Sequence, residues 1–250
     1  MGAIVMMKKA MICGACGRMG QELINCAQAK GYEVVCGLDK CQDQTKPFPV
    51  YSSFEQVTET IDVIIDFSKP ETLEGLLPFA VAHKLPLLLA ATGYTKAQQA
   101  QIIEASKQIP IFQSANMSIG VLVLKQLAKQ AKKLLADYDI EIIEKHHKNK
   151  ADAPSGTALM LLNAVKEEDT SVLYGRDPQM EKRKPGEIAV HAVRGGSVPG
   201  DHEVLFLGDN EIVSLAHHAQ NRSIFAVGAY VCATFLLQQK NGLYGMDDLV

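Results

Sequence analysis

The junction of an apolar strand with a glycine turn near the start most limits what this chain can fold into. Lys9-Ala-Met-Ile-Cys13 reads as a short buried strand. Gly14-Ala15-Cys16-Gly17-Arg18-Met19-Gly20 follows without a break, and a helical pattern then runs from Gln21 to Lys30. Glycines at such a junction let the backbone approach a pyrophosphate, and the N–H groups at a helix start favour negative charge. A second apolar strand, Tyr32 to Leu38, ends at Asp39, which follows Gly20 by 19 positions. A carboxylate there can accept hydrogen bonds from an adenosine ribose. Lys40 comes next and suits a 2′-phosphate, so NADH and NADPH both fit. Cys16 stands where the plain G-x-G-x-x-G pattern has its second glycine. The alternative is a tight strand–helix turn that binds nothing.

Further strands are expected at Ile61 to Phe67, Leu85 to Ala91 and Ile109 to Phe112. Ser68-Lys69-Pro70 reads as a helix start with proline in the first turn, leading to His83; other helices are expected from Thr95 to Gln108 and from about Ile119 to Leu135. Nearly all-apolar strands alternating with helices are what a parallel sheet covered on both faces requires. Beyond about residue 118 the pattern changes. A strand is expected from Tyr138 to His146, a helix from Thr157 to Lys166 and a charged loop from Glu168 to Pro185. Strand-like runs follow at Glu187 to Val193, His202 to Leu207 and Glu211 to His217, with turns such as Gly208-Asp209-Asn210 that suggest antiparallel pairing. A last helix, Arg222 to Gln239, would return to the first half. The expected organisation is two domains, residues 1–117 with 227–250, and residues 118–226.

Composition removes several function classes. The 25 Lys and Arg against 28 Asp and Glu leave a net charge of −3 and no global basic field for nucleic acid. Ile224 to Leu237 covers only 14 positions, short of the roughly 18 apolar residues of a membrane span, so it reads as a buried helix. Met1 to Lys9 lacks the features of a secretory signal, Met6 sits where a myristoylation signal wants Ser or Thr, and the organised pattern starts at Lys8. Cysteines 13, 16, 26, 36, 41 and 232 have no secreted-scaffold spacing. Cys13 and Cys16 have the C-x-x-C form but no second Cys/His pair, so they read as small apolar residues of a reducing cytoplasm.

The stretch from Glu141 to Ala158 carries the most chemistry. His146 and His147 end a strand, where adjacent residues face opposite sides, so they are poorly placed to share a metal ion, and none is expected. An imidazole with a pKa near 6.5 suits proton transfer at neutral pH. Pro154-Ser155-Gly156-Thr157 begins a helix with an apolar stripe at Leu159, Leu162 and Val165, the proline being read as part of its first turn. Ser155 and Thr157 offer hydroxyls, Gly156 admits a ligand close to the backbone, and Lys148 and Lys150 add positive charge. The expectation is an anion pocket that presents a small carboxylate substrate to a histidine. A capped helix with solvated lysines is the plainer alternative.

Two motifs, GACGRMG and EIIEKHHKNKADAPSGTA, with DFSKP, SANMSIGV and HAVRGG in order between Met7 and the GLYGMDDL end, carry a likeness over essentially the whole chain. It resembles the 4-hydroxy-tetrahydrodipicolinate reductase (dihydrodipicolinate reductase) family of the diaminopimelate route to lysine. The resemblance implies an α/β fold: a Rossmann-type parallel-sheet domain for the dinucleotide, and an α+β domain with a mixed, largely open sheet for substrate and for assembly of a homotetramer. It implies NADH- or NADPH-dependent reduction of a cyclic dicarboxylate, with hydride passing to C4 after loss of the hydroxyl. By position, His146 corresponds to the proton donor/acceptor and Lys150 to the proton donor. His147, Gly156 and Thr157, with Ser155 beside them, match substrate-carboxylate contacts. Gly14, Ala15, Cys16, Gly17, Arg18 and Met19 match the pyrophosphate turn, and Asp39 and Lys40 the ribose and 2′-phosphate discriminators. Ala90, Ala91 and Thr92, with Ser114, Ala115, Asn116 and Met117, match loops at the nicotinamide end.

There are departures. The family commonly has Gly-Thr-Thr-Gly where this chain reads Ala90-Ala91-Thr92-Gly93, Met117 often aligns with an aromatic residue, and Asn149 replaces a histidine seen in some members. Two rival readings share the first half: a non-catalytic dinucleotide-responsive regulator, and a Rossmann dehydrogenase for another carboxylate. His146, Lys150 and the Ser-Gly-Thr turn together argue against the regulator.

Overall fold

The structure, a computed structural model, describes residues 6–250 apart from 42, 44, 178, 180 and 181. In chain order the main elements are β1 (Lys8–Cys13), α1 (Arg18–Ala27), β2 (Tyr32–Leu38), β3 (Val50–Tyr51), β4 (Val63–Asp66), α2 (Leu73–Ala82), β5 (Leu87–Leu89), α3 (Lys96–Ser106), β6 (Pro110–Gln113) and α4 (Ile119–Leu134). They continue with β7 (Asp139–His146), α5 (Gly156–Val165), β8 (Val172–Leu173), β9 (Ile188–Arg194), β10 (Asp201–Leu207), β11 (Ile212–His218), α6 (Ser223–Leu236) and β12 (Gly242–Tyr244). The chain divides into two compact units, Met1–Ser118 with Arg222–Val250, and Ile119–Asn221.

In the first unit seven strands lie in the order β12-β6-β5-β4-β1-β2-β3, every pair parallel. Successive residues of a strand face opposite sides, which explains why these strands read as unbroken apolar runs. Ile12, Ile65, Leu88 and Phe112 pack under α1 and α6 with Leu23, Tyr230 and Leu236. Met11, Ile64, Leu87 and Leu89 pack on the other side against Leu73 and Leu76 of α2 and Ile102 of α3. The chain leaves β1 in one direction through β2 and β3, then in the other through β4, β5 and β6. Ligands of open α/β sheets bind beyond the strand ends where the order reverses. Gly14 follows β1 at that point, and Asp66 of β4 lies opposite Cys13.

Several boundaries differ from expectation. Helix α1 starts at Arg18, not Gln21, because Gly17 is its cap in extended conformation, and Gly20 falls inside the first turn. Strands β4 and β5 are shorter than the apolar runs that contain them, since flanking residues such as Ile61 and Leu85 pack into the core without joining the ladder. The edge strands β3 and β12 have two and three residues, too few for a periodic signal.

The second unit has a mixed sheet in the order β11-β10-β7-β9-β8. Strand β10 is antiparallel to both β7 and β11, whereas β9 runs parallel to β7 and β8. The antiparallel expectation therefore holds for β10–β11 and fails for β9–β10, because β7 lies between them. The turn joining β9 to β10 crosses the end of β7, where Gly195 N donates to His146 O (3.0 Å) and His147 N to Val198 O (2.8 Å). Ile140, Ile142, Val190, Val204 and Phe206 form the core with Leu124, Leu161 and Leu162 of α4 and α5. Pro154 precedes the α5 cap, Ser155, and is not in the first turn. The region expected as a loop over 168–185 contains β8, and residues 178, 180 and 181 of it lie outside the described residues, as do residues 1–5 ahead of the organised pattern. Among the described residues no helix is long and apolar enough to cross a membrane.

Candidate active site

Strand β7 alternates, and its inward positions read Ile140, Ile142, Glu144, His146. Two apolar residues are thus followed on the same face by an acid with no exposed surface and an imidazole 8% exposed. In the sheet Glu144 lies directly opposite His202 of β10, and His146 opposite Arg194 of β9. Opposed residues share a face, so four polar side chains converge. Glu144 Oε1 accepts from Arg194 Nη2 (2.7 Å) and from Ser155 N (3.0 Å); Oε2 accepts from Arg194 Nη1 (2.7 Å) and lies 2.6 Å from His146 Nδ1. Arg194 also donates to Asp152 O at 2.6 Å, which ties down the segment leading into α5. The Ser155 hydroxyl accepts from Ala158 N (3.2 Å) and sits 3.0 Å from His202 Nε2. The His202 and His146 rings meet edge to face at 5.1 Å.

Around this buried centre, His147 is half-buried and Lys148 is exposed. Lys150 Nζ pairs with Asp152 Oδ1 at 2.7 Å and holds that carboxyl below its usual range. Gly156 opens α5 with nothing within 4 Å of where a side chain would stand. Burial pushes His146 below 6.5, helped by the charges of Lys150 and Arg194 and opposed by Glu144. Burial likewise takes His202 down to about 4. For Glu144 burial acts upward, but hydrogen bonds from Arg194, His146 and Ser155 outweigh it and hold the carboxyl below 4.5. At neutral pH the site thus combines an ionised carboxylate, two neutral imidazoles and two cationic side chains beside a helix start. Such a set can hold an anion and move a proton. Among the described residues no group of three or more His, Cys, Asp or Glu could hold a metal ion.

The first unit has its own constellation. Gly14 adopts φ +80°, and a side chain on Gly20 would stand 2.2 Å from Gly14 O, so this turn has no room for anything larger. Asp39 ties it to the end of β2, accepting from Cys16 N (2.9 Å) and Cys41 N (3.2 Å). Arg18 and Lys40 are exposed. Ala15 is buried and packs against Gly37. Ala90, Ala91 and Thr92 follow β5, and Ser114 to Met117 follow the adjacent β6, where Ser114 N donates to Leu89 O at 3.1 Å. The Ser114 hydroxyl donates to Asn116 O at 2.7 Å. A glycine turn without space for side chains and an acid at the end of the next strand fit a dinucleotide.

The family model described as "Dihydrodipicolinate reductase, N-terminus" matches residues 8–117, and its C-terminal counterpart matches residues 120–250. The chain belongs to the dihydrodipicolinate reductase family. The 4-hydroxy-tetrahydrodipicolinate reductase of Caldanaerobacter subterraneus subsp. tengcongensis is 47% identical over 98% of this chain and 99% of its own length. That of Clostridium novyi is 42% identical over 98% of both chains. Among solved structures, the dipicolinate-bound dihydrodipicolinate reductase from Paenisporosarcina sp. TG-14 is similar with a TM-score of 0.79 and 26% identity, covering 98% of this chain and all of the other. Membership makes the chain an NAD(P)-dependent oxidoreductase, and its two sheets are those of the dihydrodipicolinate reductase fold.

Within this family member, His146, His147, Lys150, Ser155, Gly156 and Thr157 lie together in the second unit, and Gly14 to Met19 with Asp39 and Lys40 in the first. Two side chains expected at a ligand have other surroundings: Met117 is buried in the core of the first unit, and Ser155 is buried as the α5 cap. Sequence reasoning missed Glu144, Arg194 and His202. Glu144 carried a readable signal, an acid at an inward position of an alternating strand; Arg194 and His202 become visible only through strand register.

Proposed function

We propose that this chain reduces 4-hydroxy-tetrahydrodipicolinate to tetrahydrodipicolinate in the diaminopimelate route to lysine, with NADH or NADPH, releasing water. The observation that carries the reading is the convergence of His146, Lys150 and the open start of α5 in a member of this family. The family relatives named for this reaction and the dipicolinate held by the similar structure support it. The first unit is the dinucleotide-binding domain, and residues 119–221 bind substrate and assemble a homotetramer. The turn from Gly14 to Met19 would hold the pyrophosphate through main-chain N–H groups, with Ala15 contributing backbone alone and Arg18 reaching the phosphates. Asp39 and Lys40 would face the ribose, and the main chains of 90–92 and 114–117 the nicotinamide end. When bound, NAD(P)H supplies the hydride. Gly156 and Thr157 at the α5 start, with His147, bind a ring carboxylate, and Ser155 shapes that start as its cap. His146 and Lys150 exchange protons with the ring. Six free cysteines accord with a reducing cytoplasm.

Such acid–base assistance is worth roughly 10²–10⁴ in rate. His146→Gln and Lys150→Ala are each expected to lower kcat by at least about a hundredfold, the lower end of that span, with the cofactor Kd within about twofold of wild type. The assay follows loss of reduced-nicotinamide absorbance with substrate formed from pyruvate and aspartate semialdehyde. Near-wild-type turnover in both variants removes the residue assignment, and no oxidation of either cofactor by the wild type removes the function.

A further inference from the structure

We propose that Glu144, clamped by Arg194, is the positioning residue that fixes Nδ1 of His146 as a permanent N–H donor and so makes Nε2 the one nitrogen that exchanges protons. The inference rests on the reading of His146 as the proton-transfer group, and its geometry belongs to the second unit alone.

An ionised carboxylate is acceptor-only, so the ring nitrogen 2.6 Å from Glu144 Oε2 must carry the hydrogen. The carboxylate cannot turn away. Both of its oxygens take one arm of the Arg194 fork, and Oε1 is held as well by the main-chain N–H of Ser155 at 3.0 Å. A bidentate guanidinium defines a plane as well as a charge, which aims Oε2 at the imidazole. The register of three strands supplies the parts: His146 is paired with Arg194 on one side of β7, and Glu144 with His202 on the other. On the far edge of the ring, a side chain at Gly200 would stand 2.9 Å from Nε2, so glycine there keeps the reactive nitrogen unobstructed. The charged and titratable groups facing the ring are Glu144 on its own strand, Arg194 on β9, Lys150 on the following segment and His202 on β10. Only Glu144 among them favours the imidazolium. It therefore steadies the protonated ring each time Nε2 takes up a proton, against burial and two cations.

The test is ¹⁵N NMR of the full-length protein labelled at histidine, with His146 assigned by difference against His146→Gln. In the wild type near pH 8 the Nδ1–H tautomer is expected; finding Nε2–H overturns the proposal without any variant. Glu144→Gln is expected to mix the tautomers, shift the His146 titration to lower pH and move the acid limb of the kcat/KM profile the same way. It should also lower kcat at least tenfold, with the cofactor Kd changed less than twofold. Glu144→Asp, which keeps the charge, should recover part of the kcat and the shifted pH limb. A Glu144→Gln protein with wild-type tautomer and titration overturns the proposal, whether or not kcat falls. If Glu144→Gln does not fold, Arg194→Lys is read in the same way, since it keeps the cation and loses the fork. A wild type with the expected tautomer but no turnover would instead sink the functional reading and leave the positioning of His146 standing.

Discussion

Asp66 in the first unit and Glu144 in the second are both buried at or near the C-terminal end of a strand, and the two acids have opposite electrostatic fates. Asp66 closes β4 and is 1% exposed; Glu144 lies two residues from the end of β7 and is 0% exposed. Asp66 receives the N–H (2.9 Å) and the hydroxyl of Ser68 on one oxygen, and the buried Tyr94 hydroxyl near it lacks a well-formed hydrogen bond. Among the described residues no cation is ion-paired with Asp66, and burial raises its pKa from 3.8 to about 6. Glu144 is no less buried, but its Arg194 fork, a backbone N–H and an imidazole pull it below the usual range. Burial acts upward on both carboxyls, and the number and charge of the donors decide the net direction. The difference matters for what each unit can do. Asp66 is able to change protonation near neutral pH, while Glu144 stays ionised and serves as a fixed charge.

Two experiments bear on that contrast, and a third compares the two units at their glycine turns. The largest effect is expected from Arg194→Met, which leaves an ionised carboxylate buried without its cation and should cost about 3–5 kcal/mol in denaturant unfolding. Asp66→Asn should leave stability at pH 7 unchanged or higher, because it removes a charge that burial already disfavours. Equal losses in the two variants would break the comparison.

The second is a pH series. Asp66, with its pKa raised in the folded state, contributes stability that is fully present below 3.8 and is lost as pH rises through about 6, in all about 3 kcal/mol. His202, with its pKa lowered from 6.5 to about 4, contributes in the other direction: its share is present above 6.5 and is lost as pH falls toward 4, again about 3 kcal/mol. The two slopes oppose each other between pH 4 and 6. Asp66→Asn should therefore expose the histidine slope, with stability falling steadily as acid is added, measured by denaturant unfolding from pH 4 to 8. A variant curve parallel to that of the wild type would show that Asp66 is not raised.

The smallest effect is expected from Gly156→Ala. The site is open, so unfolding should change by no more than about 0.5 kcal/mol, whereas binding of pyridine-2,6-dicarboxylate, followed by calorimetry, should weaken. A large loss of stability there would mean that the start of α5 is as tightly packed as the turn around Gly20.

Much of this architecture was legible locally. The unbroken apolar strands of the first unit, the glycine turn and the switch to alternating strands after residue 118 follow from side-chain periodicity and turn chemistry. Even Glu144 announced itself, as an acid in step with Ile140 and Ile142. The start of α1 was misplaced because extended Gly17 caps it, a matter of backbone angle that the helical pattern from Gln21 does not show.

The amino-acid order alone determined the longer strands and helices and the segment that carries His146 and Lys150, because neighbours a few positions apart set those signals; the short strands β3, β8 and β12 were not among them. Tertiary structure decided what Glu144 does. Its guanidinium partner is 50 residues away, and β9 comes to lie beside β7 only through the sheet order, which long-range packing of the second core selects. A buried charge acquires its function from the donors that surround it, and those were assembled by strand register.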